Sequence, residues 1–319
     1  MKKILVTGAL GQVGSELVPY LRNIYGKNNV IASGRRKHEN NPLVEDGIFE
    51  ILDVMDGKAV SEMVNKYEID TLIHMAALLS AVAEERPQYA WELNMAGLMN
   101  TLEVARINNL HYFTPSSIAA FGPCSPQNDT PQDTIQRPIS IYGVTKVAGE
   151  LLCDYYHYKY GLDTRSVRYP GLISHVTPPG GGTTDYAVAI YYDAVKDGKF
   201  TCYLREDTYM DMMYMPDALK CVVDLMETDP VNLKHRNAFN VAAMSFSPKE
   251  ISEEIKKIIP EFEISYDVDE VKQALADSWP NSMDCSIAKE EWGFKPEYEL
   301  KSMTEDILEK LRFKIKTPC

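Results

Sequence analysis

The sequence predicts an α/β fold, a doubly wound parallel sheet with a smaller, discontinuous lobe drawn from the second half of the chain. Three observations predict it. An apolar run, Lys3-Ile4-Leu5-Val6-Thr7, leads into a glycine-spaced loop and then into a segment with helical periodicity. Short apolar runs then alternate with amphipathic stretches as far as Arg168, the order that right-handed βαβ crossovers require. The 319 residues are 45% hydrophobic and 25% charged, enough to bury a large core and too apolar for a disordered chain.

The first strand is followed by Gly8-Ala9-Leu10-Gly11-Gln12-Val13-Gly14, and Ser15–Leu21 opens the helix with apolar positions at 17, 18 and 21. Strand, glycine loop and helix in this order form the context of a dinucleotide fingerprint. Gly8 permits the tight turn, Gly11 lets backbone approach a pyrophosphate, and Gly14 lets helix pack on strand. Free N–H groups at the helix start, around Gln12 and Val13, hold the anion. Further strands are expected at Asn29–Ser33, Phe49–Leu52, Thr71–Met75, Tyr112–Ser116 and Asp163–Arg168, with helices near 57–67, 88–108 and 142–160. Ligands of such a sheet sit beyond the strand C-termini. The later chain is less regular: a Pro/Gly loop at 177–182, helices near 185–196, 216–227 and 248–259, and a tryptophan-containing tail. A dinucleotide-binding, Rossmann-type domain is therefore expected from 1–172 and about 201–243, and a substrate lobe from about 173–200 and 244–319.

Charge and cysteine usage narrow the function. The 33 basic and 46 acidic side chains give −13, which repels phosphate backbones and anionic lipid and argues against a nucleic-acid or membrane partner. Six cysteines are scattered without a CxxC or Cys/His cluster, so neither a disulfide framework nor a metal site is expected. No 18-residue apolar run is present. A strand candidate at Lys2 or Lys3 leaves no room for a leader peptide, so a cytoplasmic location is expected.

Tyr142-Gly143-Val144-Thr145-Lys146 follows Pro138 at a helix start. Four-residue spacing places Tyr142 and Lys146 on one helical face, and an ammonium beside a phenol favours the phenolate. That pair suits general-base removal of an alcohol proton, or general-acid delivery to a ketone. With 19 tyrosines in the chain, the pair gains its weight from the opening fingerprint.

Together, Thr7–Gly14 and Tyr142–Lys146 resemble the extended short-chain dehydrogenase/reductase superfamily, which includes sugar-nucleotide epimerases. Pro115-Ser116-Ser117-Ile118-Ala119-Ala120-Phe121-Gly122 matches the hydroxyl-bearing element at the end of strand five, with Ser117 at the active position. Arg168–Ser174, Pro179–Ala187, Met212–Ala218 and Ser278-Trp279-Pro280 are similar to the short-chain type of L-threonine 3-dehydrogenase. The resemblance covers essentially the whole chain, and the Gly180–Ala187 stretch is its most specific part. It implies oxidation of the β-hydroxyl of L-threonine to 2-amino-3-oxobutanoate, with Ser117, Tyr142 and Lys146 as the catalytic set. It further implies that Ser80, Gly181, Thr183 and Trp279 line the substrate pocket with Ser117 and Tyr142. To the cofactor it assigns Gly34, Arg35, Asp53, Val54, Ala76, Ala77, Asn94, Tyr169, Pro170 and Leu172, beside the glycine loop and the Tyr142–Lys146 pair. Trp292 reads instead as a core residue, and the Met210–Met215 cluster as packing. The glycine run at 180–182 suits a hinged lid.

One stretch departs from the family. Where NAD-preferring enzymes of this type end strand two with an aspartate, this chain has Ser33-Gly34-Arg35-Arg36-Lys37. A carboxylate repels a 2′-phosphate and guanidinium groups grip it, so NADP is an open alternative to the expected NAD. Two rival functions follow from the same motifs. Nucleotide-sugar epimerases or dehydratases often carry an Arg-Asp pair where this chain has Met210-Asp211, which removes a grip on diphosphate. A non-catalytic dinucleotide sensor would not need Tyr142, Lys146 and Ser117. The long helices near 88–108 and 142–160, the second with Leu151, Leu152, Tyr155, Tyr156 and Tyr160, suit a homodimer.

Overall fold

The computed structural model describes residues 1–37, 41–180 and 182–316. The first half alternates β1 (Ile4–Thr7), α1 (Gly14–Tyr25), β2 (Val30–Gly34), α2 (Pro42–Glu45), β3 (Phe49–Ile51), α3 (Gly57–Tyr67), β4 (Thr71–His74), α4 (Ser80–Glu85), α5 (Pro87–Ile107) and β5 (His111–Phe113). There follow β6 (Ser116–Ser117), α6 (Ile141–Tyr160), β7 (Thr164–Arg165), β8 (Val167–Tyr169) and β9 (Gly171–Ile173). A six-stranded parallel sheet has the order β3-β2-β1-β4-β5-β7. Strand side chains point alternately to its two faces. Ile4 and Val6 meet Leu17, Val18 and Leu21 of α1 in one core, and Leu5 meets Val60, Leu98 and Leu102 of α3 and α5 in the other. The chain reverses its direction of winding between β1 and β4, which opens a crevice at their C-terminal ends.

Two expected strands are each divided. Tyr112–Ser116 becomes β5 and β6, which belong to different sheets. Pro115 lies between them and has no N–H to donate to a ladder. Asp163–Arg168 likewise becomes β7, in the large sheet, and β8, in a second sheet of order β12-β8-β6. Between them the Ser166 carbonyl turns to accept the Phe239 N–H at 3.1 Å. Pro170 then separates β8 from β9, which joins a third sheet, β13-β11-β9.

The remaining elements are α7 (Tyr186–Lys196), β10 (Lys199–Cys202), β11 (Met210–Tyr214), α8 (Met215–Glu227), β12 (Phe239–Asn240), β13 (Met244–Phe246), α9 (Pro248–Lys256), β14 (Glu263–Tyr266), α10 (Glu270–Asp277), α11 (Ser286–Trp292) and α12 (Leu300–Lys316). Three helices thus occupy the tail that showed no clear periodicity, and Trp292 is buried there against Phe239 and Phe294. Helix α6 has a clear local cause. The Ser140 hydroxyl accepts the Gly143 N–H at 3.0 Å, and Gly161 ends the helix in the left-handed region at φ 71°. On its flank Leu151, Tyr155 and Tyr160 are exposed, but Tyr156 turns inward and donates to Glu103 at 3.2 Å. The apolar band therefore excludes Tyr156. Among the described residues five cysteines are free, no cluster could hold a metal ion, and no helix is long and apolar enough to cross a membrane.

Gly8 stands at φ 70°, and a Cβ there would lie 2.6 Å from the backbone nitrogen of Ala76. A Gly8→Ala variant should lose about 1–3 kcal/mol of stability, measured by urea denaturation. An unchanged midpoint would show that the β1–β4 crevice tolerates a wider turn.

Candidate active site

The crevice contains two adjoining cavities. The first, about 400 Å³, is lined by Gly8, Leu10, Gly11, Gly34, Arg35, Arg36, Leu52, Val54, Met75, Ala76, Ala77 and Leu93. The second, about 220 Å³, shares Gly8, Gly11, Met75 and Ala77 with it and continues past Gln12 and Val13. It extends to Ser80, Ser117, Tyr142, Lys146, Tyr169, Pro170, Leu172, Thr183 and Trp279. The shared wall is the glycine loop at the start of α1. A Cβ at Gly11 would lie 3.2 Å from the Gly8 carbonyl, and one at Gly14 would lie 2.4 Å from it. The loop is therefore closed by backbone alone. An elongated, two-part ligand with a central anion fits this cradle, as a dinucleotide has.

The catalytic candidates are set by one helix facing one strand. Tyr142, Lys146 and Glu150 follow each other at four-residue spacing along α6. Opposite them run Ser117, Ser116 and Pro115. The Lys146 ammonium donates to the Pro115 carbonyl at 2.7 Å and lies 5.3 Å from the centre of the Tyr142 ring. The Ser116 hydroxyl donates to Glu150, and Arg168 closes on the same carboxylate with two bonds of 2.9 Å. Ser117 shares the second cavity with Tyr142 and Lys146, and its hydroxyl accepts the Ala119 N–H at 3.2 Å.

The other expected site residues separate into three groups. Ser80, Thr183 and Trp279 line the second cavity, as do Tyr169, Pro170 and Leu172. Gly34, Arg35, Val54 and Ala76 line the first. Arg35 donates to the Tyr89 hydroxyl at 2.7 Å, and a Cβ on Gly34 would meet the Phe49 ring at 3.5 Å and the Arg36 carbonyl and Leu10 side chain at 3.8 Å, all ordinary contacts. Asp53 and Asn94 line neither cavity. Asp53 is exposed and accepts the Met55 N–H at 3.0 Å. The Asn94 amide accepts the Leu78 N–H at 2.8 Å and donates at 3.3 Å to both the Leu78 carbonyl and the Thr145 hydroxyl. It faces a small chamber of about 40 Å³ behind Lys146. Gly181 lies outside the described residues.

Arg36, weighed with Arg35 as a grip on a 2′-phosphate, lines the first cavity, whereas sequence reasoning missed Leu52 and Leu93 there and Asp185 of the second. Asp185 accepts the Gly180 and Gly182 N–H groups at 2.6 and 2.8 Å. A carboxylate three residues after a glycine run was the available signal. Lys146 and Asp185 are the charged side chains among the described residues lining the second cavity, which contains no arginine.

A family model, described as the NAD dependent epimerase/dehydratase family, matches residues 4–242. The chain belongs to that family. An uncharacterized epimerase/dehydratase of Staphylococcus saprophyticus is 56% identical over 316 residues, which cover 99% of each chain. Among solved structures, the L-threonine dehydrogenase of Clostridium difficile is 64% identical, with a TM-score of 0.97 over 98% of both chains. The L-threonine dehydrogenase of Cupriavidus necator, described as GalE-like and solved in its holo form, is 47% identical, with a TM-score of 0.94 over 97% of this chain and 99% of that one.

His74, at the end of β4, is buried with its Nδ1 2.9 Å from the Thr7 hydroxyl. Burial, reinforced by the Lys146 ammonium, pushes its pKa down to about 3. A histidine held neutral in the fold and free to protonate when unfolded, near pH 6.5, contributes stability above that value and loses it as pH falls toward 3. Between those limits wild type should lose about 1.4 kcal/mol per pH unit from this group alone. Urea denaturation at several pH values should show a shallower acid slope for His74→Asn, and parallel slopes would contradict the assignment.

Proposed function

We propose that the protein is an NAD-dependent L-threonine 3-dehydrogenase, oxidising the β-hydroxyl of L-threonine to 2-amino-3-oxobutanoate. The observation that carries this reading is the second cavity. It brings Ser117, Tyr142 and Lys146 together with Thr183 and Trp279 in a small space without arginine. A nucleotide-sugar ligand needs cations for its diphosphate, whereas a small zwitterionic alcohol does not. The names of the Clostridium difficile and Cupriavidus necator relatives support the same substrate.

In this reading NAD, when bound, would supply the acceptor for a hydride from the β-carbon. Tyr142 takes the hydroxyl proton as general base, Ser117 donates a hydrogen bond to the same oxygen, and Lys146 supplies positive charge beside the phenol. Gly11, Gln12 and Val13 hold the pyrophosphate. Tyr169, Pro170 and Leu172 would back the nicotinamide, and Ser80, Thr183 and Trp279 would enclose the amino acid. Residues 1–172 and about 201–243 form the cofactor domain of this reading, and about 173–200 and 244–319 the substrate lobe. A homodimer through α5 and α6 would cover the exposed Leu151 and Tyr155.

NAD is the cofactor of choice, although Gly34 leaves room and Arg35 and Arg36 supply charge for a 2′-phosphate. Initial rates at 340 nm with L-threonine, comparing NAD and NADP, test the reading. Reduction of either dinucleotide is expected, and silence with both, in protein that binds dinucleotide, would contradict it. Tyr142→Phe should lower kcat by at least about 100-fold while leaving dinucleotide affinity unchanged. Unchanged turnover would remove Tyr142 from proton transfer. Gly34→Asp should weaken NADP relative to NAD by about tenfold or more. An unchanged ratio of the two dissociation constants would place Gly34 outside the ribose site.

A further inference from the structure

We propose that Asn240 is a positioning residue for the substrate wall, tying the Glu150–Arg168 pair behind α6 to the segment that carries Trp279. Asn240 is fully buried at the end of β12, and both ends of its amide are engaged. Its Oδ1 accepts from Arg168 Nη1 at 3.0 Å. Its Nδ2 donates to the Thr130 carbonyl at 3.1 Å and to the Asp284 carbonyl at 3.3 Å. Those two carbonyls belong to neighbouring stretches of a short parallel ladder. Thr130 N–H donates to the Ser282 carbonyl at 2.9 Å, Asp284 N–H donates to the Thr130 carbonyl at 2.9 Å, and Asn281 N–H donates to the Gln127 carbonyl at 2.7 Å.

The ladder is short and is braced by side chains, among them the Ser245 hydroxyl, which donates to the Asn281 carbonyl at 2.6 Å, and the Ser282 hydroxyl, which accepts the Asp129 N–H at 2.8 Å. Asp211 accepts the Met283 N–H at 2.6 Å from the β11 side, and the Asn240 amide supports it from the β12 side. Pro280 joins the ladder to Trp279, and the proline ring fixes φ there. A displacement of 281–284 is therefore carried directly to the indole in the cavity. The same Arg168 that meets Asn240 grips Glu150, one helical turn from Lys146. Asn240 thus sets the distance between the helix bearing Tyr142 and the wall bearing Trp279. No atom of it reaches the cavity, so it acts only through these partners.

Two variants separate this role from a general contribution to folding. Asn240→Asp keeps the acceptor for Arg168 and sets oxygen against the two carbonyls. Asn240→Ser replaces the amide with a hydroxyl too short to reach both Arg168 and the two carbonyls. In the full chain without ligands, amide hydrogen exchange should accelerate in peptides covering 279–285 and 127–131. Peptides from β1 and β4 should keep their wild-type rates, and dinucleotide affinity should not change. The Michaelis constant for L-threonine should rise about ten- to a hundredfold with kcat largely retained. This last readout rests on the proposed activity; exchange and dinucleotide binding do not. A wild-type protein that ignores threonine while the variants still loosen 279–285 would therefore overturn the activity and leave the role of Asn240 standing. Unchanged exchange in 279–285, acceleration spread through β1 and β4, or failure of both variants to fold would overturn the role.

Discussion

The ion pair between Glu150 and Arg168 is the contact on which the site depends. Both side chains are buried, and the guanidinium meets the carboxylate with two nearly equal bonds while also reaching the Gln132 carbonyl at 2.7 Å. Glu150 spends its remaining capacity on the Ser116 hydroxyl and on Gln136 at 2.7 Å. Such a pair contributes little net stability against a hydrophobic alternative, but removing one partner strands the other at a cost of about 3–5 kcal/mol. Its effect is on geometry. It joins β6, β8 and α6 in one register, so that the face bearing Tyr142 and Lys146 meets the strand bearing Ser117.

The distribution of charge around that register explains the chemistry available to the cleft. Lys146 is held by a neutral carbonyl rather than by an acid, so its positive charge remains directed toward Tyr142. Glu150, one turn further along the helix, is consumed by Arg168 and does not compete for the lysine. The nearby His74 is kept uncharged by burial. The helix therefore presents one cation and one phenol beside the Ser117 hydroxyl of the facing strand, in a cavity whose other charged lining residue among those described is Asp185.

Much of this was legible in the sequence because it is local. Gly8, Gly11 and Gly14 lie between a strand and a helix, and Tyr142 and Lys146 lie one helical turn apart, so backbone periodicity alone brings each set together. Ser117 and Trp279 could be placed only through resemblance, since no short-range pattern links them to Tyr142. The division of two strands was hidden because an apolar run does not say which sheet it joins. Pro115 was the visible warning in one case, and the turned Ser166 carbonyl had no counterpart in composition. The pairing of Glu150 with Arg168 and the support of Asn240 under 281–284 depend on contacts across the fold, which residue spacing cannot reveal. Asp53 and Asn94, which motif position assigns to the cofactor, line neither cavity; Asp53 accepts the Met55 N–H and Asn94 bonds Leu78 and Thr145, contacts that spacing does not show.

In the proposed reaction a hydride leaves the β-carbon of threonine while Tyr142 takes the hydroxyl proton. L-Threonine deuterated at Cβ, reacted in a single turnover with NAD, tests it most directly. The reduced dinucleotide should carry the deuterium, with one label transferred per molecule of 2-amino-3-oxobutanoate formed. Unlabelled reduced dinucleotide, or no reduction by an enzyme that instead inverts a nucleotide sugar, would contradict it.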